Sequence, residues 1–531
     1  MKRYWLCFLF TSILVIFLAN PIYAFDLKNP LKSFSQKILS NKRENTENSI
    51  NQKNSLEQKR ILAEKRNIIY SGYSKSFKLV KKLIALGKIE EVIQLYKEND
   101  NKNISGIDTR EKKTLLNAET LANLEGAQIA LSCGKYDDSI TMFTKAEKII
   151  KNNDNQTISK TFLDKVWATG GGMITGNSET GPYLTEGYEK VLMLNLKSIV
   201  YLLQGKREAY NVARRSIEWQ KIEREKFDKK IKAVKEKLAE KEKEQKDKRG
   251  ELGFNLKEIL GKQYASMDTK ADTLPSAFVN PFGYYISGIV QEFESFNDSS
   301  LRDNARISYE KALDLNPKNK FLKELVEELK KKSAPPNKRL VHVIVADGYV
   351  PEKKVLSFNI SMKNADIPVK LPIYDPVPSK VNRINVYDEK GHQLSKFSKI
   401  ADIEALCLRH QKDTAPIRTL SIFATIVRTY FEGSILDKFG QIGSTIKKKR
   451  NEMSTPDMRS WMSLPASIYA ARFYAPQNLN RIQIVTYDLK GNKLASKSIE
   501  LDKSSHNFVF ARSIDDLLYV YSNEKMWIAM N

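Results

Sequence analysis

The chain has 531 residues, and its 88 lysines and arginines outnumber its 63 aspartates and glutamates, giving a net charge of +25. Hydrophobic residues make up 41% and charged residues 28%, which excludes both wholesale disorder and a polytopic membrane protein. The length suffices for two or three domains of roughly 100–200 residues each. Four histidines and three cysteines leave few groups for metal or nucleophilic chemistry.

Residues 1–24 have the pattern of a secretory signal peptide. Lys2 and Arg3 precede an apolar stretch, and cleavage is predicted after Ala24. An uncleaved membrane anchor is the alternative, although the apolar stretch is short for a membrane span. Cys7 has no small-residue cleavage site before it, so a lipid-attachment cysteine is not predicted. Cleavage would lower the net charge from +25 to +23, and the protein would be periplasmic or secreted.

Residues 25–69 form a polar segment that is predicted to be partly disordered. From 70 to 332 apolar residues recur at helical spacing, which predicts an all-α domain. A long charged helix is predicted within it at 207–249, with a short coiled-coil-like apolar stripe. Residues 333–338 are predicted to be a linker, because two prolines end the preceding helix.

Four stretches of the helical domain share the pattern of a helix, a small turn residue and a second helix. The fourth stretch, at 303–319, resembles the second half of a tetratricopeptide repeat. Small residues at the recurring positions let helices pack closely, and aromatic residues fill the space between them. The residues predicted to pack these repeats are Gly134, Tyr136, Phe143, Ala146, Gly205, Tyr284, Gly288, Ala305, Tyr309, Ala312 and Pro317.

The pattern changes to strand-like alternation from 339 to 531, which predicts a β-rich α+β module with a helical insert at 415–450. Two near-identical hairpins lie 100 residues apart in it, with turns at Gly391 and Gly491. The predicted fold class is therefore α+β multidomain. It combines a tetratricopeptide-like helical domain with a β-rich module that resembles a small sandwich.

The sequence of a glycine-rich stretch at 170–178 resembles that of a phosphate-binding loop. Asn177 stands where the phosphate-neutralising lysine is required, and no clear strand precedes the stretch. The sequence therefore predicts a loop here and no nucleotide site.

Three short motifs resemble a known group of proteins. They are Tyr188-Glu189-Lys190-Val191-Leu192, Asn280-Pro281-Phe282-Gly283-Tyr284-Tyr285 and Arg459-Ser460-Trp461-Met462-Ser463-Leu464-Pro465. Together they are similar to an uncharacterised family of exported bacterial envelope proteins with a tetratricopeptide-like first half and a shared C-terminal module. The resemblance implies location in the Gram-negative envelope, often as a lipoprotein, with some genes near those of penicillin-binding-protein activators. It implies no catalytic residues, and this chain lacks the lipid-attachment cysteine.

The groups that could carry chemistry are scattered. His342, in a strand, is expected to be a satisfied core or edge residue, and His392, in a hairpin turn, is expected to be exposed. Cys407 and His410 lie three residues apart and could in principle form a nucleophile and base, although burial of Cys407 is the favoured interpretation. Cys133 could pair with Cys407, yet two separately buried thiols are favoured. No catalytic residue, metal site or cofactor is predicted, and the protein is not predicted to be an enzyme.

The expected partner is therefore a protein or peptide of the envelope, bound by the groove of the helix pairs, and the protein would act as a scaffold or adaptor. The excess positive charge leaves an alternative, a protein that binds anionic lipid, lipopolysaccharide or peptidoglycan. A cell-wall hydrolase is the second alternative. Export argues against nucleic acid, and no small-molecule substrate is expected.

Overall fold

The computed structural model describes residues 73–88, 90–93, 119–154, 183–249, 255–331, 335–362, 365–376, 378–436 and 456–523. The predicted signal peptide, the polar segment at 25–69, the glycine-rich loop at 170–178 and the end of the helical insert beyond 436 lie outside these residues. The described residues all belong to one compact unit.

Helices occupy the first part of the unit. Their bounds are α1 Tyr73–Ala85, α2 Glu119–Ser132, α3 Tyr136–Asp154, α4 Gly187–Leu203, α5 Glu208–Arg249, α6 Leu256–Ala271, α7 Phe282–Glu294, α8 Leu301–Leu315 and α9 Lys320–Leu329. Helices α2, α3, α4, α5, α7, α8 and α9 each pack against the next in that order. Among the first helices of successive pairs, α2 also contacts α4, and α4 also contacts α7. The helix predicted at 207–249 corresponds to α5.

The paired helices turn at glycines. Gly134 and Gly205 have φ of +73° and +66°, a left-handed conformation that glycine adopts without steric cost. Pro317 lies just beyond the end of α8, where it cannot continue the helix. Six other residues that were predicted to pack the repeats are buried: Tyr136, Phe143, Ala146, Ala305, Tyr309 and Ala312. Tyr284 is half-buried.

Gly288 allows α7 and α8 to approach each other closely. A Cβ atom at this position would overlap with the ring of Tyr309, which is fully buried and cannot move aside. We therefore expect Gly288→Ala to lower the free energy of unfolding by about 1–3 kcal/mol through overpacking. Gly261, in α6, has open space around the same position, so Gly261→Ala should instead stabilise the protein by about 0.5–1 kcal/mol. Urea unfolding of both variants tests this, and equal effects would contradict it.

Strands follow from residue 338. Their bounds are β1 Lys338–Asp347, β2 Glu352–Met362, β3 Ala365–Asp375, β4 Arg383–Tyr387, β5 Gln393–Lys396, β6 Ser398–Asp402, β7 Ser467–Pro476, β8 Arg481–Tyr487, β9 Lys493–Glu500, β10 His506–Ile514 and β11 Leu517–Ser522, with helices α10 Ile403–Asp413 and α11 Ala415–Leu436 between β6 and β7. They form a five-stranded sheet in the order β11-β10-β1-β7-β6, a four-stranded sheet β5-β4-β8-β9 and a β2-β3 hairpin. The mixed α+β class is confirmed.

The five-stranded sheet is covered on both faces. Leu340 and Ile344 of β1 belong to the large hydrophobic cluster that includes the helices. Val341 and Val343, which alternate with them, pack in a second cluster with the four-stranded sheet. Burial on both faces explains why the sequence of β1 is a nearly continuous run of hydrophobic residues. The helical and strand-rich segments therefore share one core across the predicted 333–338 boundary.

The duplicated hairpins are related by a local two-fold arrangement. Both turn glycines, Gly391 and Gly491, have φ of +84°. Strand β4 pairs with β8 so that Asn385 lies opposite Val485, its own equivalent 100 residues later. The phenol oxygens of the equivalent residues Tyr387 and Tyr487 lie 2.8 Å apart.

Candidate functional site

A cleft of about 510 Å³ lies between α5, α7 and α8. Helix α7 forms its floor, and α5 and α8 form its walls. The cleft is lined by Tyr210, Arg214, Ile217 and Glu218 of α5, by Tyr284, Ser287 and Gln291 of α7, and by Asn304, Ile307, Ser308 and Lys311 of α8.

The two faces of α7 explain how it forms this floor. Tyr285, Ile289 and Glu292 are completely buried in the core. Ser287 and Gln291, together with Tyr284, follow a spacing of three and four residues, which places them on one face of the helix, and that face is turned to the cleft. The helix is thus fixed by its fully buried face, while its polar face lines the cleft.

Hydrogen bonds join the floor to both walls. The side-chain oxygen of Gln291 accepts a hydrogen bond of 2.6 Å from the Ser308 hydroxyl, and its nitrogen donates one of 3.3 Å to the phenol oxygen of Tyr210. The Ser287 hydroxyl is buried, yet it has no hydrogen-bond partner in the described part of the chain. Since buried hydroxyls are usually paired, this group is an open hydrogen-bonding position in the site.

The opposite face of the helix pairs is closed by the chain itself. The Glu125 carboxylate of α2 accepts hydrogen bonds from the backbone amides of Met462 and Ser463, at 2.6 and 2.8 Å. The Glu189 carboxylate of α4 accepts one from the Trp461 amide at 3.3 Å. The motif at 459–465 is therefore one segment by which the strand-rich part docks onto the first helices. A groove for a partner has to lie on another face.

Burial and the neighbouring Glu186 raise the pKa of the Glu189 carboxyl to about 7. Its oxygens also lie 2.9 and 2.7 Å from the Tyr183 hydroxyl, which donates to them. Glu189 therefore contacts the docking segment through the hydrogen bond from the Trp461 amide.

A buried ion pair joins α7 to β7 behind the cleft. The Arg472 guanidinium donates to Glu292 with its Nε at 3.0 Å from Oε1, and to Glu328 at 3.0 Å. Nε2 of His342 lies 3.1 Å from Glu292. Burial alone would raise the pKa of the Glu292 carboxyl, but Arg472 and His342 hold it far below its usual range. Burial lowers the pKa of His342, so a neutral imidazole donates to the carboxylate. The cluster is therefore a structural part of the core. This agrees with the prediction that His342 is a core or edge residue with its hydrogen bonds satisfied.

The pair Cys407 and His410 does not have the geometry of a nucleophile with its base. Cys407 is buried, the Tyr188 hydroxyl donates to its sulfur at 3.5 Å, and burial raises the pKa of the thiol to about 12. Nε2 of His410 lies 3.4 Å from a carboxylate oxygen of Glu186, and burial lowers the pKa of this imidazole. Such a thiol stays protonated at neutral pH, whereas a nucleophile requires thiolate. Both Cys407 and the half-buried Cys133 are free.

The other two histidines differ in exposure, and burial lowers the pKa of His506 to about 4. His392 is exposed and lies 2.9 Å from Asp388 in its hairpin turn. His506 stacks against Phe293 and Phe296. Within the described ranges, no three histidines, cysteines or acids form a group that could hold a metal ion. In the same ranges, no helix is long and apolar enough to cross a membrane.

Sequence reasoning named Tyr284 and Gly288 as packing residues but missed Arg214, Ser287 and Lys311. A polar stripe opposite the apolar stripe of α7 is the one signal that could have indicated the cleft. It identifies a face but not the neighbouring helices that turn this face into a cleft. Comparison with family models, with curated proteins and with solved structures finds no match for this chain.

Proposed function

We propose that this chain is an exported, non-enzymatic scaffold or adaptor of the bacterial cell envelope. It binds an extended segment of a partner protein in the cleft between α5, α7 and α8. The observation that carries this proposal is the cleft itself, an accessible site with polar and apolar groups on a rigid frame. Export and envelope location rest on the signal-peptide pattern at 1–24.

The dimensions of the cleft suit a short stretch of peptide. Its α5 wall runs from Tyr210 to Glu218, which at 1.5 Å per residue is about 12 Å. An extended chain advances about 3.3 Å per residue, so roughly four residues fit along the wall. Asn304, Tyr284 and Tyr210 offer hydrogen-bonding groups to a peptide backbone, and Ile217 and Ile307 offer apolar contact.

The frame of the site favours binding over catalysis. Helices α4, α5, α7 and α8 pack in succession, as in a tetratricopeptide-like array, and we propose that they are degenerate repeats of that kind. The sheet behind α7 fixes the floor through the buried pair of Glu292 and Arg472. A preorganised floor lowers the entropy cost of ordering a peptide.

A screen of random dodecapeptides displayed on phage tests the proposal. Ile307 is partly exposed in the cleft, and Leu489 is exposed at a hairpin tip on the four-stranded sheet. We expect the recovered peptides to bind about tenfold more weakly to Ile307→Asn, because burial of an isoleucine side chain contributes about 1.5–3 kcal/mol. They should bind equally to the wild-type protein and to the matched variant Leu489→Asn, as measured by fluorescence anisotropy.

Recovery of no binding peptide would contradict the proposal. So would a set of peptides that binds Ile307→Asn as tightly as the wild type. Association with anionic liposomes that weakens steeply with salt, in place of peptide binding, would support the lipid-binding alternative.

A further inference from the structure

We propose that the floor of the cleft contains a carboxylate-binding site formed by Ser287, Arg214 and Lys311, which selects protein segments with one acidic side chain. This inference rests on the proposed function, because it assigns the chemistry of the segment bound in the same cleft. It is carried by the alignment of three helices, by two cations that have no acidic partner among the described residues, and by a buried hydroxyl.

The helices bring these three residues to one level. Gln291 bonds Tyr210, while a Cβ on Gly283 would contact Ser216 and Ile217, so α5 and α7 are antiparallel. Ser287 lies four residues before Gln291, one turn along α7. Arg214 lies four residues after Tyr210, and the antiparallel arrangement places it beside Ser287.

The α8 wall follows the same alignment. Ser308 bonds Gln291, and the short connection at 295–300 makes α7 and α8 antiparallel. Lys311 lies three residues after Ser308, about 4.5 Å along the helix axis, and it also lines the cleft. Ser287 therefore lies at the floor with one cation on each wall.

Both cations are available to an anion. In the part of the chain that the structure describes, neither Arg214 nor Lys311 forms an ion pair or a hydrogen bond. The guanidinium of Arg214 has a ring contact, 5.9 Å from the centroid of Tyr210, and both side chains are exposed to the cleft. Two other arginines of the same helix region are paired, Arg207 with Glu294 and Arg215 with Glu147.

The Ser287 hydroxyl is the second, independent observation. Ser287 lines the cleft but is only 3% exposed, and its hydroxyl has no hydrogen-bond partner among the residues that the structure describes. An unpaired buried hydroxyl costs free energy that a ligand oxygen would recover. One carboxylate can accept a hydrogen bond from it while facing both cations, and charge-assisted hydrogen bonds of this type are stronger than neutral ones.

The neighbouring acid limits the charge of the segment. Glu218 lies four residues beyond Arg214 on the same wall. It would repel a second acidic side chain one turn further along the cleft, so a single carboxylate flanked by uncharged residues fits best.

Pools of octapeptides with blocked termini test this assignment. One pool has glutamate at a central position, a second has glutamine there, and a third has phosphoserine. The other positions vary among glycine, alanine, leucine, serine and tyrosine. Peptides retained by the immobilised full chain at 0.15 M salt are quantified by mass spectrometry. We expect the glutamate pool to be retained about tenfold more than the glutamine pool, as one charge-assisted hydrogen bond allows.

Variants identify the groups responsible. Ser287→Ala and Arg214→Gln should each reduce the preference for glutamate about fivefold or more. Lys323→Gln removes one exposed charge on α9, outside the cleft, and should leave it within twofold of the wild type. Thermal unfolding of Ser287→Ala serves as the folding check, because loss of an unpaired buried hydroxyl should not lower its Tm.

The outcomes separate the two proposals. If both pools are retained equally and Ile307→Asn releases both, the carboxylate site is wrong while the cleft function stands. If neither pool is retained, both proposals fail. A phosphoserine pool retained more strongly than the glutamate pool would overturn the assignment to a carboxylate. A glutamate preference that survives Ser287→Ala and Arg214→Gln unchanged would also overturn it.

Discussion

Replacing Arg472 with methionine is expected to lower the free energy of unfolding by about 3–5 kcal/mol, because it leaves a buried carboxylate without its cation. Arg472 and Glu292 are 3% and 0% exposed at their side chains, so water cannot solvate the carboxylate that remains. His342 stays within 3.1 Å of it but donates only one hydrogen bond. Urea unfolding followed by circular dichroism measures the change.

Arg481→Met is the matched control. Arg481 pairs with Glu500 at 2.8 Å on the surface of the four-stranded sheet, where both side chains are exposed. Exposed pairs contribute little to stability, so this variant should unfold nearly as the wild type does. If Arg472→Met loses no more stability than Arg481→Met, the buried pair does not join α7 to β7 as described.

The second large effect is expected from Trp461→Ala, at about 3–5 kcal/mol for removal of a fully buried aromatic side chain. The ring of Trp461 packs edge-on against Phe143 at 6.2 Å, and its Nε1 donates to Ser463 at 2.9 Å. It thus lies between the helices and the strand-rich segment. Its loss should destabilise both together.

Hydrogen exchange provides the measurement for this variant. Amides of α4 and amides of β1 should lose protection to the same extent, because the two elements share one core. Leu489→Ala, at an exposed hairpin tip, is the control and should change neither. A variant that loses protection in β1 alone would contradict a single cooperative unit.

Local patterns predicted much of the secondary structure, although the helical insert predicted at 415–450 begins earlier, with α10 at Ile403–Asp413. Apolar spacing predicts helix over 207–249, and α5 runs over Glu208–Arg249. The turn at Gly391 and its duplicate at Gly491 could be predicted, since a tight turn requires a positive φ that glycine adopts without strain. Each of these features depends on residues close together in the chain.

The site could be predicted only in part. The spacing of Ser287 and Gln291 predicts a polar face on α7. This face becomes the floor of a cleft only because Arg214 and Lys311 lie on the walls beside it, and they are 73 and 24 residues away from Ser287 along the chain. The role of Glu125 could not be predicted from the sequence either, because its hydrogen-bond partners are backbone amides more than 300 residues later in the chain. No local spacing encodes such contacts.

The sequence by itself determined the α+β class, the helical first part, the β-rich second part and the strong positive charge. These follow from hydrophobic periodicity and composition, which act over one turn of helix or a few residues of strand. Only the tertiary structure decided that the two parts share a core and that the Tyr188 hydroxyl donates to the buried Cys407 sulfur. It also decided that the accessible cleft lies between α5, α7 and α8. These depend on which distant faces bury each other, and burial is a property of the packed chain.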